Sequence, residues 1–243
     1  MTTSRKSVLI STIATLLSLV VLARPGAAQT YSAAGDFSIS SNPNGAWSYG
    51  YSYGAGSAFH LDTTNTASYG PGLALGGWMG NVDSSPGANY PYALKNFTAN
   101  PVANNGTSVY QPGQLGLQPG SSNEDSVVRW TAPFSGTFSI QVTFSAMDSF
   151  GDSADVHVLH NGSSLLNSTV LSGVFGSPSS VSFSTAQSVL AGDTIDFVVG
   201  NDGNGPNNDT TGLTATIVPE PGALALVAMS LASLLSFRFF KRK

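Results

Sequence analysis

The chain has 243 residues, with no cysteine, only 9% charged side chains, 27 Gly and 13 Pro. Without cysteine there is no disulfide framework and no Cys-ligated zinc site. Aromatic residues at 10%, combined with so little charge, exclude a charge-swollen disordered chain. Seven of the nine basic residues flank the two hydrophobic ends, so residues 29–218 keep only Lys95 and Arg129 against twelve acidic side chains. That net −10 repels nucleic acid and other polyanions.

At the N-terminus, Arg5 and Lys6 precede an apolar run from Val8 to Leu22, and the small residues Gly26 and Ala28 follow. This pattern predicts a secretory signal over residues 1–28, cut after Ala28 by signal peptidase.

Residues 29–217 predict one all-β body, an antiparallel β-sandwich, because apolar residues recur with period 2 and no stretch sustains a period of 3.6. The first half, 29–124, is the looser one. Strands are expected at 37–40, 47–53 and 58–62, then long loops over 69–105 with one or two short strands near 93–98. Trp47, Tyr49, Tyr51 and Tyr53 fall on one face of the second strand, opposite Ser48, Gly50, Ser52 and Gly54. Such a row of rings serves either as a platform for stacking sugars or as a core face; the Gly and Ser face lets another backbone approach closely. Trp78, between Gly77 and Met79, is expected on a flexible loop, open to ligand contact. His60 is expected to face outward.

The second half, 125–217, is more regular. Glu124 and Asp125 sit in a polar context and are expected to be solvated loop carboxylates. Phe138, Ile140, Val142 and Phe144 alternate with Ser139, Gln141 and Thr143 in the clearest strand. Val156 and Val158 alternate with Asp155 and His157. Ile195, Phe197 and Val199 alternate with Thr194, Asp196 and Val198, and Leu213, Ala215 and Ile217 with Thr214 and Thr216. The polar partners are assigned to wet faces. Asn161-Gly162 is the strongest hairpin signal. His157 and His160, three apart, point to opposite faces of a strand and make poor joint ligands for a metal.

Two loops are rich in oxygen donors. One carries Asp148, Asp152 and Asp155; the other carries Asp202 and Asp209 among Asn and Gly. Calcium takes six to eight such oxygens. Asp, Asn and Gly are equally the ordinary turn formers, and no Glu closes either loop as in an EF-hand. No cofactor is required by these residues; calcium is the one candidate ion. No serine elbow or carboxylate pair with catalytic spacing stands out.

The tail is distinct. Val218-Pro219-Glu220-Pro221 precedes an uncharged stretch from Gly222 that predicts a membrane helix over about 222–240. Arg238, Lys241, Arg242 and Lys243 mark its cytoplasmic boundary by the positive-inside rule. Motif, span and basic end together resemble the PEP-CTERM sorting signal. The resemblance implies recognition by exosortase, a membrane protease-transpeptidase, and an inner-membrane-anchored precursor released to the cell surface or beyond. Residues 125–217 resemble a jelly-roll or galactose-binding-like module, on Trp130-Thr131-Ala132-Pro133, Asp155-Val156-His157-Val158-Leu159, Asn161-Gly162 and Ala191-Gly192-Asp193. That resemblance implies carbohydrate binding or surface scaffolding. The combined expectation is a non-enzymatic exported protein of the surface or matrix, with polysaccharide as its partner. A glycan-active hydrolase or lyase and a purely structural protein are the alternatives.

Overall fold

The computed structural model describes residues 29–221 apart from 71, 73, 83–89, 151 and 172–178. The expected signal peptide, membrane helix and basic cluster (Arg238, Lys241, Arg242, Lys243) lie outside the described residues. Among those described, no helix is long and apolar enough to cross a membrane.

In chain order the strands are β1 (Tyr31–Ser32), β2 (Trp47–Tyr53), β3 (His60–Leu61), β4 (Thr64–Tyr69), β5 (Leu75–Met79), β6 (Tyr92–Asn96), β7 (Val102–Asn104) and β8 (Ser108–Tyr110). They continue with β9 (Leu115–Gln118), β10 (Glu124–Thr131), β11 (Gly136–Ala146), β12 (Ser153–His160), β13 (Ser163–Leu171), β14 (Ser180–Val189), β15 (Thr194–Val199) and β16 (Thr211–Pro219). One sheet runs β14-β11-β16-β9-β6-β5-β4, with β1 also paired to β16; the other runs β13-β12-β15-β10-β2-β3. A small β7–β8 pair stands apart from both. The fold is an all-β antiparallel sandwich.

Its core lies between the two sheets. Phe138, Ile140, Val142 and Phe144 of β11 face Trp47, Tyr49, Val128, Trp130, Val156, Ile195 and Phe197 of the opposite sheet. The Trp130 and Phe138 rings meet edge-on across the layer at 5.0 Å. In β11 the intervening Ser139, Gln141 and Thr143 stay at least partly open, as period-2 burial requires. Asn161 and Gly162 take positive φ, 49° and 78°, in the tight turn joining β12 to β13.

The structure corrects the first half. Residues 37–40 form no strand, although Phe37 packs on Tyr49 at 4.5 Å. Only His60–Leu61 of 58–62 pairs. Over 69–105, β6 matches the short strand expected near 93–98, but β5 and β7 replace stretches expected to be loops. Glycine masks β5 in the sequence: a Cβ on Gly77 would strike the Ala93 carbonyl and lie 2.8 Å from Leu94 Cα on β6. Gly77 thus serves close strand packing rather than a loop. Gly77→Ala should therefore lower the melting temperature by about 5 °C, given an overpacking cost of 1–3 kcal/mol or more. Thermal circular dichroism checks this, and an unchanged midpoint contradicts the packing.

The expected wet face of β15 is also corrected. Asp196 and Val198 are buried because the segment before β3 folds over the outside of the sheet. Phe59 packs there with Val127, Leu159 and Val198. Gly50 permits this approach, since a Cβ would collide with the His60 carbonyl and the Phe59 ring. Arg129 stacks its guanidinium 4.2 Å from the Phe59 ring and donates twice to Asp196, at 2.7 and 2.8 Å.

Candidate functional site

The aromatic row on β2 divides at the edge of the core. Trp47 and Tyr49 are buried, and burial pushes the Tyr49 hydroxyl well up. Tyr49 is thus a core residue and not a ligand contact. Trp78 is corrected likewise: it lies in β5, 6% exposed, with Nε1 donating to the Ser38 carbonyl at 2.7 Å. Tyr51 and Tyr53 continue past the core, Tyr53 at 49% exposure.

Pairing of β2 with β3 sets His60 opposite Tyr51. The His60 and Tyr51 rings stack at 5.1 Å and 17°. Tyr53 stands edge-on to both, at 5.7 Å from Tyr51 and 5.8 Å from His60. His60 is exposed, as expected. The result is a three-ring surface at the end of β2.

Beneath Tyr51 lies Asp62, which the sequence did not single out. It is 2% exposed and neither carboxylate oxygen has a hydrogen-bond partner. Burial pushes its pKa up to about 8. Its backbone is fixed by the sheet: its N–H donates to the Tyr49 carbonyl at 3.0 Å, and its carbonyl accepts from Asn42 Nδ2 at 2.9 Å. Gly80 leaves room for both the Tyr51 ring and Asp62 Oδ1, which would stand 3.0 and 3.3 Å from a Cβ at that position.

The two acidic loops come together at one region of the body. Ser153 Oγ donates to Asp202 Oδ2 at 2.7 Å, and Asn204 Nδ2 donates to the Ser153 carbonyl at 2.9 Å. The Asp202 N–H donates to Asp155 Oδ1 at 2.7 Å. Asp148 Oδ2 accepts from the Thr210 N–H at 2.8 Å. Asp209 is 1% exposed, with both carboxylate oxygens unpartnered. Burial, then Asp152, Asp148, Asp155 and Asp202, push its pKa up to about 9. Among the described residues no group of three or more acidic or His side chains is placed to hold a metal ion.

Glu124 and Asp125 are not solvated loop carboxylates. They open β10, between β2 and β15, and both are buried. Burial, then the nearby Asp155 carboxylate, raise the Asp125 pKa to about 7, while His157 opposes the shift. His157 shares the Asp155 face as expected but is buried, sharing a 2.7 Å hydrogen bond with Asp155 Oδ2. His160 contacts Asp193 and Gln187 instead, so the two histidines do not act jointly. The Asp125 and Asp155 carboxylates both crowd Gly200, where any Cβ would collide with them.

A third feature lies on the other sheet. A groove of about 430 Å³ is lined by Gln141, Thr143, Ser182, Ser184, Thr214 and Thr216, with Val142 and Phe183. It carries no charge.

No family model matches the chain, and no curated protein matches it. Solved structures overlap it distantly. CBM51 from Clostridium perfringens GH95, in complex with methyl-galactose, is 14% identical with a TM-score of 0.33, covering 65% of this chain and 94% of that one. CBM35 from Cellvibrio japonicus Abf62 is 10% identical with a TM-score of 0.25, covering 72% and 95%. A β-glucosidase from Kluyveromyces marxianus is 11% identical with a TM-score of 0.28 over 51% of this chain, which spans only 13% of the enzyme. Nothing about ligand or activity passes from these overlaps to the chain.

Proposed function

We propose that the chain is an exported surface protein whose sandwich holds a neutral extracellular polysaccharide against Tyr51, Tyr53 and His60, without catalysing a reaction on it. The observation that carries this reading is the three-ring surface at the end of β2, with Tyr53 half exposed. Rings of this kind present an apolar body and a polar tip, which suits the C–H faces and hydroxyls of a sugar. The acidic body favours a neutral glycan over an anionic one.

Signal peptidase and exosortase belong to the same proposal. Ile217 is the last residue of β16 paired with β1, and Val218-Pro219-Glu220-Pro221 follows it with Glu220 and Pro221 exposed. A cut after Pro219 leaves β16 whole, which supports a sorting tail that is removed after delivery from the inner membrane.

Binding of the full chain to an array of neutral glycans tests the proposal. Tyr53→Ala should weaken binding about ten-fold, the loss of a stacking contact worth roughly 1.4 kcal/mol. Its melting temperature should stay within about 2 °C, because a half-exposed side chain contributes little to the core. Thr143→Val in the uncharged groove should leave binding unchanged. Binding lost in Thr143→Val but kept in Tyr53→Ala moves the site to the groove. No binding to any glycan favours the purely structural reading.

One observation favours a catalytic alternative: the Asp125 carboxyl, pushed up to about 7, beside Asp155 and His157. A raised carboxyl is the form a general acid takes. Glycan cleavage that disappears in Asp125→Asn would establish it.

A further inference from the structure

The described body has two fixed positive charges, and both are committed to partners outside the acidic loops. Lys95 Nζ donates to the Ala34 carbonyl and stands 5.1 Å from the Phe97 ring. Arg129 is held by Asp196 and Phe59. The 148–155 and 202–209 stretches, bonded to each other, therefore bring five carboxylates to one region, and none of them pairs with a Lys or Arg among the described residues. His157 is bonded to Asp155 alone of the five. Buried charges without a partner are costly, and proteins pair them or give them a metal.

Asp209 is the centre of this group. It is 1% exposed and both its oxygens lack any partner; Asp148 accepts from the N–H of the next residue, Thr210, and Asp152 adjoins Ser153, whose hydroxyl bonds Asp202. The two loops offer hard oxygens: carboxylates, the side-chain amides of Asn201 and Asn204, and backbone carbonyls. Sulfur is absent from the chain's cysteine inventory, and the one nearby imidazole is bonded to Asp155. Such a set suits calcium, which accepts six to eight oxygens at irregular geometry, better than magnesium, which demands a strict octahedron and keeps its waters. Gly203 and Gly205, at φ 73° and 97°, give the second loop bends that other residues rarely make.

We propose that these loops bind a calcium ion, with Asp209 as its anchoring ligand and Asp152 and Asp148 as the next carboxylates in. Asp155 and Asp202 are fixed by hydrogen bonds to the facing loop and hold the two loops in register. Like charges without a counter-ion keep one another apart, so the ion draws Asp148 and Asp152 toward Asp209 as it enters. The site stands independently of the glycan reading, since it uses none of Tyr51, Tyr53 or His60.

The test is thermal unfolding of the full chain at pH 7 in calcium, in magnesium and in EGTA. Calcium at about a hundred-fold excess over its Kd should raise the midpoint by roughly 5–10 °C relative to EGTA. Asp209→Asn should abolish that rise, and Asp152→Asn should reduce it. The Asp209→Asn variant should be at least as stable as the parent in EGTA, because burial disfavours a charged side chain at this position and Asn never carries one, so misfolding does not cloud the comparison. Equal midpoints in calcium and EGTA overturn the proposal. So does a calcium rise that survives in Asp209→Asn, or an equal rise with magnesium.

Discussion

Replacing Arg129 with Ala should cost about 3 kcal/mol of unfolding free energy. Asp196 is buried in the outer face of its sheet and depends on the Arg129 fork for both of its oxygens. Removing the guanidinium strands that carboxylate among Val127, Leu159 and Val198 and strips the cation from the Phe59 ring. The Arg129 side chain is itself 24% exposed, which places the cost at the lower end for a broken buried pair. A double replacement, Arg129→Met with Asp196→Leu, should recover most of the loss, since apolar side chains then fill the covered face. Urea unfolding of both variants measures this. A single variant as stable as the parent would show that the pair and the segment covering it contribute nothing.

Asp62→Asn should have its largest effect at alkaline pH. The folded pKa of Asp62 is raised to about 8 from an ordinary value of 3.8, because burial disfavours its charge and nothing bonds to it. A group raised in this way contributes stability that is fully present below its unfolded pKa. That contribution is lost as pH climbs through about 4 to 8. Above pH 8 the native state carries an unpaired buried charge that Asn does not. The variant should therefore be more stable than the parent at pH 9, by roughly 3–5 kcal/mol. At pH 4 the two should differ by less than about 1 kcal/mol, because the parent carboxyl is then neutral as well. Denaturant unfolding at the two pH values reads the difference. An equal difference at both would show that Asp62 does not titrate with the fold.

The sandwich was legible wherever one face of a strand met water. In β11, alternation of Phe138, Ile140, Val142 and Phe144 with Ser139, Gln141 and Thr143 marks both the strand and its buried side. Asn161-Gly162 marks the β12–β13 hairpin because only residues tolerant of positive φ make that turn. Legibility failed where burial is two-sided or where glycine replaces a side chain. Gly76 and Gly77 of β5 resemble a loop in the sequence, but the β6 backbone lies against Gly77, and Phe97, Ile39 and Thr66 of β4 lie against Gly76. Asp196, His157, Glu124 and Asp125 sit in sequences that look solvated, and their burial is decided by strands distant in the chain.

The candidate sites follow the same rule. The ring row on β2 was visible by spacing, but spacing cannot say where the core ends; Trp47 and Tyr49 fall inside it, Tyr53 outside. The grouping of Asp148, Asp152, Asp155, Asp202 and Asp209 was visible as two oxygen-rich loops, whereas their meeting around Asp209 needed tertiary structure. Asp62 carried no local signal, because its environment is made by Asn42, Tyr51 and Gly80 from three other segments.

The most direct measurement is a titration of a neutral polysaccharide into isotope-labelled protein, followed by nuclear magnetic resonance of the aromatic and backbone signals. Binding at the end of β2 predicts shifts concentrated at Tyr51, Tyr53 and His60, with Tyr49 and Trp78 unmoved in the core. Shifts at Gln141, Thr143 and Thr214 with none at Tyr53, or no shifts with any neutral glycan, would contradict it.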